Sequence, residues 1–246
     1  MKVKVLKRVI LFIAVMAFIG CGSNGGNKGN GGKGGGSNSS ELPTTVVDAL
    51  NASKSNLTPD LKDSITYMYS EEKLAREVYL NVYDKQPQKQ LQNIATKSEI
   101  KHEDAVNKLA IKYDLNTTIY PDTPTPYDAT SLEIFGSGKF PVVEIQELYD
   151  LLYDKGINSA QDALEIGCMV EVTDVDDLNK YLTQAKVSNA DDVVVIFDYL
   201  RSGSYNHYWA FDKGLKNMGI SDGCCSLGTS FCHPEYPQDN GDEGGN

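Results

Sequence analysis

The sequence runs to 246 residues with 40% hydrophobic and 23% charged residues, the balance of an ordinary globular chain, which excludes wholesale disorder and a polytopic membrane protein. The formal net charge is -11, and without the cations Lys2, Lys4, Lys7 and Arg8 at the N-terminus it falls to about -15. Such an acidic surface excludes nucleic acid as a partner, because phosphate binding needs a basic face.

In chain order, Lys2 to Arg8 form a positive segment, and Val9 to Ile19 form an apolar run too short to span a bilayer comfortably. This is the pattern of an export signal. The run ends in Ala17-Phe18-Ile19-Gly20-Cys21, which resembles the lipobox of bacterial lipoproteins, with Phe18 where Leu is usual. The resemblance implies cleavage after residue 20 and lipidation of Cys21, hence an exported protein of the cell envelope held on a membrane. Simple signal cleavage with a free Cys21 thiol is the alternative. Gly22 to Ser40 is almost entirely Gly, Asn, Ser and Lys, so residues 21–56 are expected to act as a flexible tether.

Thr58-Pro59-Asp60 is a helix start, with Thr as N-cap, Pro at the first position and acid in the first turn. Helix A is expected from there to about Lys85. After Gln86-Pro87, helix B is expected over Gln90 to Asp114, followed by an irregular connection marked by Pro121, Pro124, Pro126 and Gly136. Pro141 to Lys155 reads as an extra helix stopped by Gly156. Helix C is expected from Ser159 to Ala185. Helix D, capped by Ser188 or Asn189, runs to about Lys213 before Gly214. The helical domain therefore covers residues 57–215, and the Cys-containing tail 216–246 has little regular structure.

The apolar stripes of the four long helices share one irregularity. On helix A the stripe Ile65, Met68, Ala75, Tyr79 and Val82 passes through Glu72. On helix B, Leu91, Ile94, Ala95, Ser98, Ala105, Val106 and Leu109 bracket Glu99 and His102, which are three apart and share a face. Helix C places Glu171 and Asp174 among Ala163, Leu164, Gly167, Leu178 and Leu182. Helix D places Ser204 and His207 among Val193, Ile196, Leu200, Phe211 and Leu215.

One isolated buried carboxylate would be neutralised or paired, since its ionised form is costly away from water. Four acids and two histidines directed into one core instead suit a shared pair of cations, with carboxylates bridging and imidazoles terminal. Iron is the first expectation and manganese the second. Glu71, Glu77 and Glu103 read as solvated helix charges, with Glu71 the substitute should Glu72 face outward.

Other residues leave alternatives. Beyond Cys21 stand Cys168, Cys224, Cys225 and Cys232, and in an exported protein these favour disulfides within the tail or between the tail and Cys168. A zinc or copper site at Cys224, Cys225, Cys232 and His233 is the other reading. Tyr79 and Tyr208, among 14 tyrosines, lie close enough to the acids and histidines to support them.

These motifs resemble a known family. Glu72, Ala75 and Tyr79 are similar to the first-helix motif of rubrerythrin, Glu99-x-x-His102 to its second and Glu171-x-x-Asp174 to its third-helix acids. The runs Glu71-Glu72-Lys73-Leu74-Ala75-Arg76-Glu77-Val78-Tyr79 and Gly203-Ser204-Tyr205-Asn206-His207 resemble an uncharacterised, rubrerythrin-related ferritin-like family of bacteria and archaea. The resemblance implies an all-α, ferritin-like four-helix bundle whose long crossover between helices B and C contains the extra helix.

It also implies a dinuclear non-haem centre of iron or manganese at Glu72, Glu99, His102, Glu171, Asp174 and His207, and peroxidase or ferroxidase chemistry on peroxide or oxygen. Two departures stand out. Ser204 occupies the place of a carboxylate in the fourth-helix motif, and the paired-cysteine knuckles of a rubredoxin module are missing, so the electron donor is external. A homodimer is open. The alternative function is a non-enzymatic metal-binding, storage or surface-interaction lipoprotein.

Overall fold

The computed structural model describes residues 41–117 and 132–238, which are helical throughout with no strand among them. None of the described helices is long and apolar enough to cross a membrane. The export signal, Cys21 and most of the tether fall outside the described residues, as do Pro121, Pro124 and Pro126 of the crossover.

Among the described residues there are seven α-helices: α1 (Thr44–Asn51), α2 (Pro59–Tyr83), α3 (Lys89–Ile94), α4 (Ile100–Lys112), α5 (Val143–Gly156), α6 (Ala160–Val187) and α7 (Asp191–Asn217). Helix A is α2, started as expected by Thr58, whose Oγ1 accepts from Leu61 N at 3.2 Å. Helix C is α6, where Ser159 Oγ accepts from Asp162 N at 3.0 Å. The extra helix of the crossover is α5. Helix B is interrupted, because α3 passes into a π-helical turn, Ala95–Glu99, before α4 begins.

Helix D differs at both ends. Ser188 closes α6, Asn189 takes a left-handed backbone with φ 51°, and α7 starts after Ala190 without a side-chain cap. Gly214 does not stop α7, which continues to Asn217. A Cβ at Gly214 would lie 2.6 Å from Gln90 Nε2 and 3.1 Å from Leu164 Cδ1, so this glycine serves close helix packing. The segment assigned to the tether also contains α1, whose Val46 and Ala49 are buried. Local apolar spacing after Pro43 makes an amphipathic turn, and contacts with α4 and α7 hold it.

The long helical stretches pack in antiparallel pairs, so that α2 and α7 run one way and the α3–α4 stretch and α6 the other. Gly167 meets Phe211, Asp174 meets Ser204 and Tyr181 meets Phe197, so α6 and α7 are antiparallel. Tyr67 meets Tyr181 and Tyr79 meets Glu171, so α2 is antiparallel to α6. Gln90 meets Gly214, Ser98 meets His207 and His102 meets Gly203, so the α3–α4 stretch is antiparallel to α7. All the stripe residues named on helices A and D are buried, including Glu72, Ser204 and His207.

Because α2 is covered by α4, α5 and α6, even its charged residues Glu71, Glu72, Lys73 and Glu77 are enclosed. Glu71, Glu77 and Glu103, expected in solvent, are all buried. Glu77 pairs with the buried Lys73 at 2.8 Å and accepts from Gly138 N at 2.6 Å, while Glu103 meets Arg76 at 2.5 Å. Lys73 also donates to Gly136 O and Lys139 O, which ties the crossover to α2.

Asp192 at the start of α7 accepts from Lys112 Nζ at 2.6 Å, Tyr113 OH at 2.5 Å and Ser55 Oγ at 2.7 Å. Burial pushes its carboxyl up, but these hydrogen bonds outweigh it and hold the group below its ordinary range. A depressed folded-state pKa stabilises the fold above the unfolded value of about 3.9 and loses that contribution as pH falls through the folded one. Asp192→Asn is therefore expected to cost about 2 kcal/mol at pH 7. In urea unfolding as a function of pH, the gap to wild type closes below about pH 4.

Candidate metal centre

Each long helix delivers side chains to the middle of the core because its apolar face is interrupted there. Glu72 comes from α2, Glu99 from the π-turn, His102 from α4, Glu171 and Asp174 from α6, and Ser204 and His207 from α7. All seven are buried. The extra residue of a π-turn shifts the register of the helix beyond it, and such turns concentrate at functional sites. Here it ends on Glu99 itself.

Glu99 stands between the two histidines. Its Oε2 lies 3.0 Å from His102 Nδ1 and its Oε1 2.9 Å from His207 Nδ1. His102 Nδ1 is also 3.4 Å from Glu72 Oε2, and His207 Nδ1 is 3.4 Å from Glu171 Oε2. Each imidazole nitrogen thus faces one carboxylate of its own and a shared Glu99. The rings stack with centroids 5.4 Å apart. One ligand atom each from Glu99, His102 and His207 can be chosen so that all three lie within 4.8 Å of one another, close enough to share an ion.

These close approaches lack the alignment of hydrogen bonds. Neither His Nδ1 atom, nor any oxygen of Glu72 or Glu99, nor Glu171 Oε2, nor Asp174 Oδ1 has a hydrogen-bond partner, although all are buried. Buried polar atoms are rarely left so. Two donor atoms each about 2.1 Å from one ion are about 3.0 Å apart at a right angle and about 3.4 Å at a tetrahedral one, the range that the four separations span. Carboxylate oxygens and imidazole nitrogens are a donor set for iron, manganese or zinc, so the residues fit a metal ion.

Without a cation the electrostatics are unfavourable. Burial raises Glu72 to about 7 despite the opposing charge of His102. Burial also raises Asp174 well above its ordinary value, with Glu72, Glu71 and Glu171 adding to the effect. Burial would lower both histidines, yet the carboxylates override it, lifting His102 to about 9 and His207 well above its usual range. Only Glu99 is held low, because the two histidine charges outweigh its burial. The cluster therefore holds extra protons that a metal ion would displace.

Surrounding residues fix the geometry. Tyr79 OH donates to Glu171 Oε1 at 2.5 Å, and Ser98 Oγ lies 2.7 Å from His207 Nε2. Ser98 Oγ can accept from Nε2–H, an arrangement that in the neutral imidazole leaves Nδ1 turned to Glu99. Asp174 stands beside this chain of five, with Oδ2 accepting from Ser204 Oγ at 3.5 Å. Tyr208 does not reach the centre. It bonds Phe231 O and His233 N and so fastens the tail.

That tail carries disulfides Cys168–Cys224 and Cys225–Cys232, which leaves none of these four cysteines for a metal.

Ser98 and Gly203 carry no functional signal in the sequence by themselves. A Cβ at Gly203 would fall 2.3 Å from His102 Cε1 and Nε2, so the imidazole occupies the space a side chain would take. Gly203→Ala is expected to cost about 1–3 kcal/mol by overpacking. It should also displace His102, and calorimetric melting together with metal titration would register both effects. Unchanged melting and binding would show that the ring has room.

Comparison with known proteins agrees with this architecture. A family model described as an uncharacterized protein domain, DUF2202, matches residues 61–230, a span that contains every residue of the centre. The uncharacterized protein MJ0754 of Methanocaldococcus jannaschii is 36% identical over 166 residues, covering 68% of this chain and 80% of that protein. The crystal structure of the hypothetical protein MJ0754 from Methanococcus jannaschii DSM 2661 matches with a TM-score of 0.58 at 34% identity, over 68% of this chain and 86% of that one. On the breadth of the family match and the closeness of this relative, the chain belongs to the DUF2202 family.

Proposed function

We propose that the protein is a ferritin-like four-helix bundle holding a dinuclear non-haem metal centre, iron first and manganese second, in an exported protein anchored through lipidated Cys21. The observation that carries this reading is the pair of His Nδ1 atoms, each between its own carboxylate and the shared Glu99, with none of these atoms hydrogen-bonded to another. Glu72, Glu99 and His102 would hold one ion, and Glu99, Glu171 and His207 the other. Asp174, beside these residues on α6, would offer a further carboxylate where Ser204 of α7 has none.

Such a pair of ions would supply redox chemistry suited to peroxide reduction or oxidation of ferrous iron. The chain's own residues bind and orient. Tyr79 holds Glu171, Ser98 holds His207, and the apolar walls of α2 and α7 exclude water. Electrons for peroxide reduction come from an external reductant.

Anaerobic loading of purified protein with Fe(II) or Mn(II) is expected to give about two equivalents. Uptake below about half an equivalent of both would end the dinuclear reading. Should metal bind while peroxide consumption is unchanged in Glu99→Ala and His207→Ala, the protein is a non-enzymatic metal-binding or storage protein.

A further inference from the structure

The two histidines and their carboxylates are not held equally. On the side of His207 both donors are anchored from behind: Tyr79 OH donates to Glu171 Oε1 at 2.5 Å, and Ser98 Oγ lies 2.7 Å from His207 Nε2. Tyr79 is itself braced, fully buried with its ring 5.3 Å from that of Phe211, which fills the space beside Gly167. Glu171 Oε2 and His207 Nδ1 are thereby left to face one another without partners.

The side of His102 has no such anchors. Neither oxygen of Glu72 has a hydrogen-bond partner, and no described residue bonds His102 Nε2. Packing alone holds this ring, which meets the half-buried Tyr199 edge-on with centroids 5.2 Å apart and lies over Gly203. A hydrogen bond is directional and fixes the rotation of a ring, whereas a ring contact fills space around it. Partners that orient ligands in this way are worth about 10–100-fold in metal affinity.

Exposure favours the opposite order, since the His207 side chain is 8% exposed and that of His102 1%. Exposure governs how readily an ion arrives, but affinity differences lie mostly in how long it stays, which the orientation of the donors sets.

We infer that the position of Glu171 and His207 keeps a resident ion, whereas that of Glu72 and His102 binds more weakly and exchanges, so that a divalent ion such as ferrous iron is a substrate there. Tyr79 and Ser98 are the positioning residues that create the difference. The inference rests on the dinuclear reading above, with Glu99 shared by both positions.

Titration of the full chain with Mn2+, followed by electron paramagnetic resonance of the free ion, separates the outcomes. Wild type is expected to bind two equivalents in two steps about 10–100-fold apart in affinity. His102→Ala should keep the tight step, and His207→Ala only a weak one. Ser98→Ala and Tyr79→Phe should each weaken the tight step by at least about 10-fold and leave the weak step as it is. Ser98→Thr, which keeps the hydroxyl, should restore it.

Two steps of equal affinity in wild type, or a tight step kept in His207→Ala and lost in His102→Ala, would overturn the proposal while leaving the dinuclear reading intact. Equal weakening of both steps in Ser98→Ala and Tyr79→Phe would overturn it too, by reducing these residues to supports of the fold. Total uptake below about half an equivalent would end both readings together.

Discussion

Glu99→Ala is expected to lower metal affinity at both proposed positions by at least about 100-fold, more than any other single substitution in the centre. Glu99 alone faces both imidazoles, with Oε2 3.0 Å from His102 and Oε1 2.9 Å from His207. His102 and His207 each face one terminal carboxylate besides, so His102→Ala and His207→Ala should each impair one position and spare part of the other. Equilibrium dialysis with Fe(II) or Mn(II) measures the difference. Thermal unfolding gives a second readout, since a ligand at 100 times its Kd stabilises a fold by about 2.7 kcal/mol, a gain that Glu99→Ala should lack. If Glu99→Ala binds as wild type does, Glu99 does not bridge.

Removal of the Cys168–Cys224 disulfide by a double alanine substitution should have the largest effect on stability. The bond joins residues 56 apart, and the entropy of closing a loop of that length in the unfolded chain corresponds to about 4 kcal/mol. The Cys225–Cys232 bond, with a separation of 7, corresponds to about 2 kcal/mol. Urea unfolding of the two double variants should therefore rank them clearly. Equal losses would mean that the tail's other ties, such as Tyr208 to Phe231 and His233, rather than loop closure set the stabilisation. Cys168 lies one helical turn before Glu171, so loss of the bond also frees the tail from the α6 turn that carries the centre.

How far the sequence could be read depended on whether a property is local. Burial of Glu72, Glu99, His102, Glu171, Asp174 and His207 was legible, because each breaks an apolar stripe whose period of about 3.6 residues is a property of one helix. The crossover helix was legible from the same periodicity and its stop at Gly156. The π-turn that ends on Glu99 was not, since Ala95 to Glu99 carries no residue that distinguishes it from α-helix, and it is packed against α2 and tied to α7 through Ser98 and His207.

The stripe on one helix determines which residue points inward. It does not determine how many sides of that helix are covered. Because α2 is enclosed by α4, α5 and α6, its Glu71 and Glu77 are buried against the expectation drawn from their charge, as is Glu103 on the α4 face that packs on α2. Gly203, Ser98 and the pairing of Cys168 with Cys224 belong to the same class, for each acquires its meaning from an atom 56 to 109 residues away that only tertiary packing brings near. By itself the sequence determined a helical chain with acids and histidines turned into its core. The tertiary structure decided that Glu99 stands between the two histidines, that Ser98 and Gly203 place those rings, and that Glu71 is sealed in beside them, because distances between helices are set by packing and not by the period of any one of them.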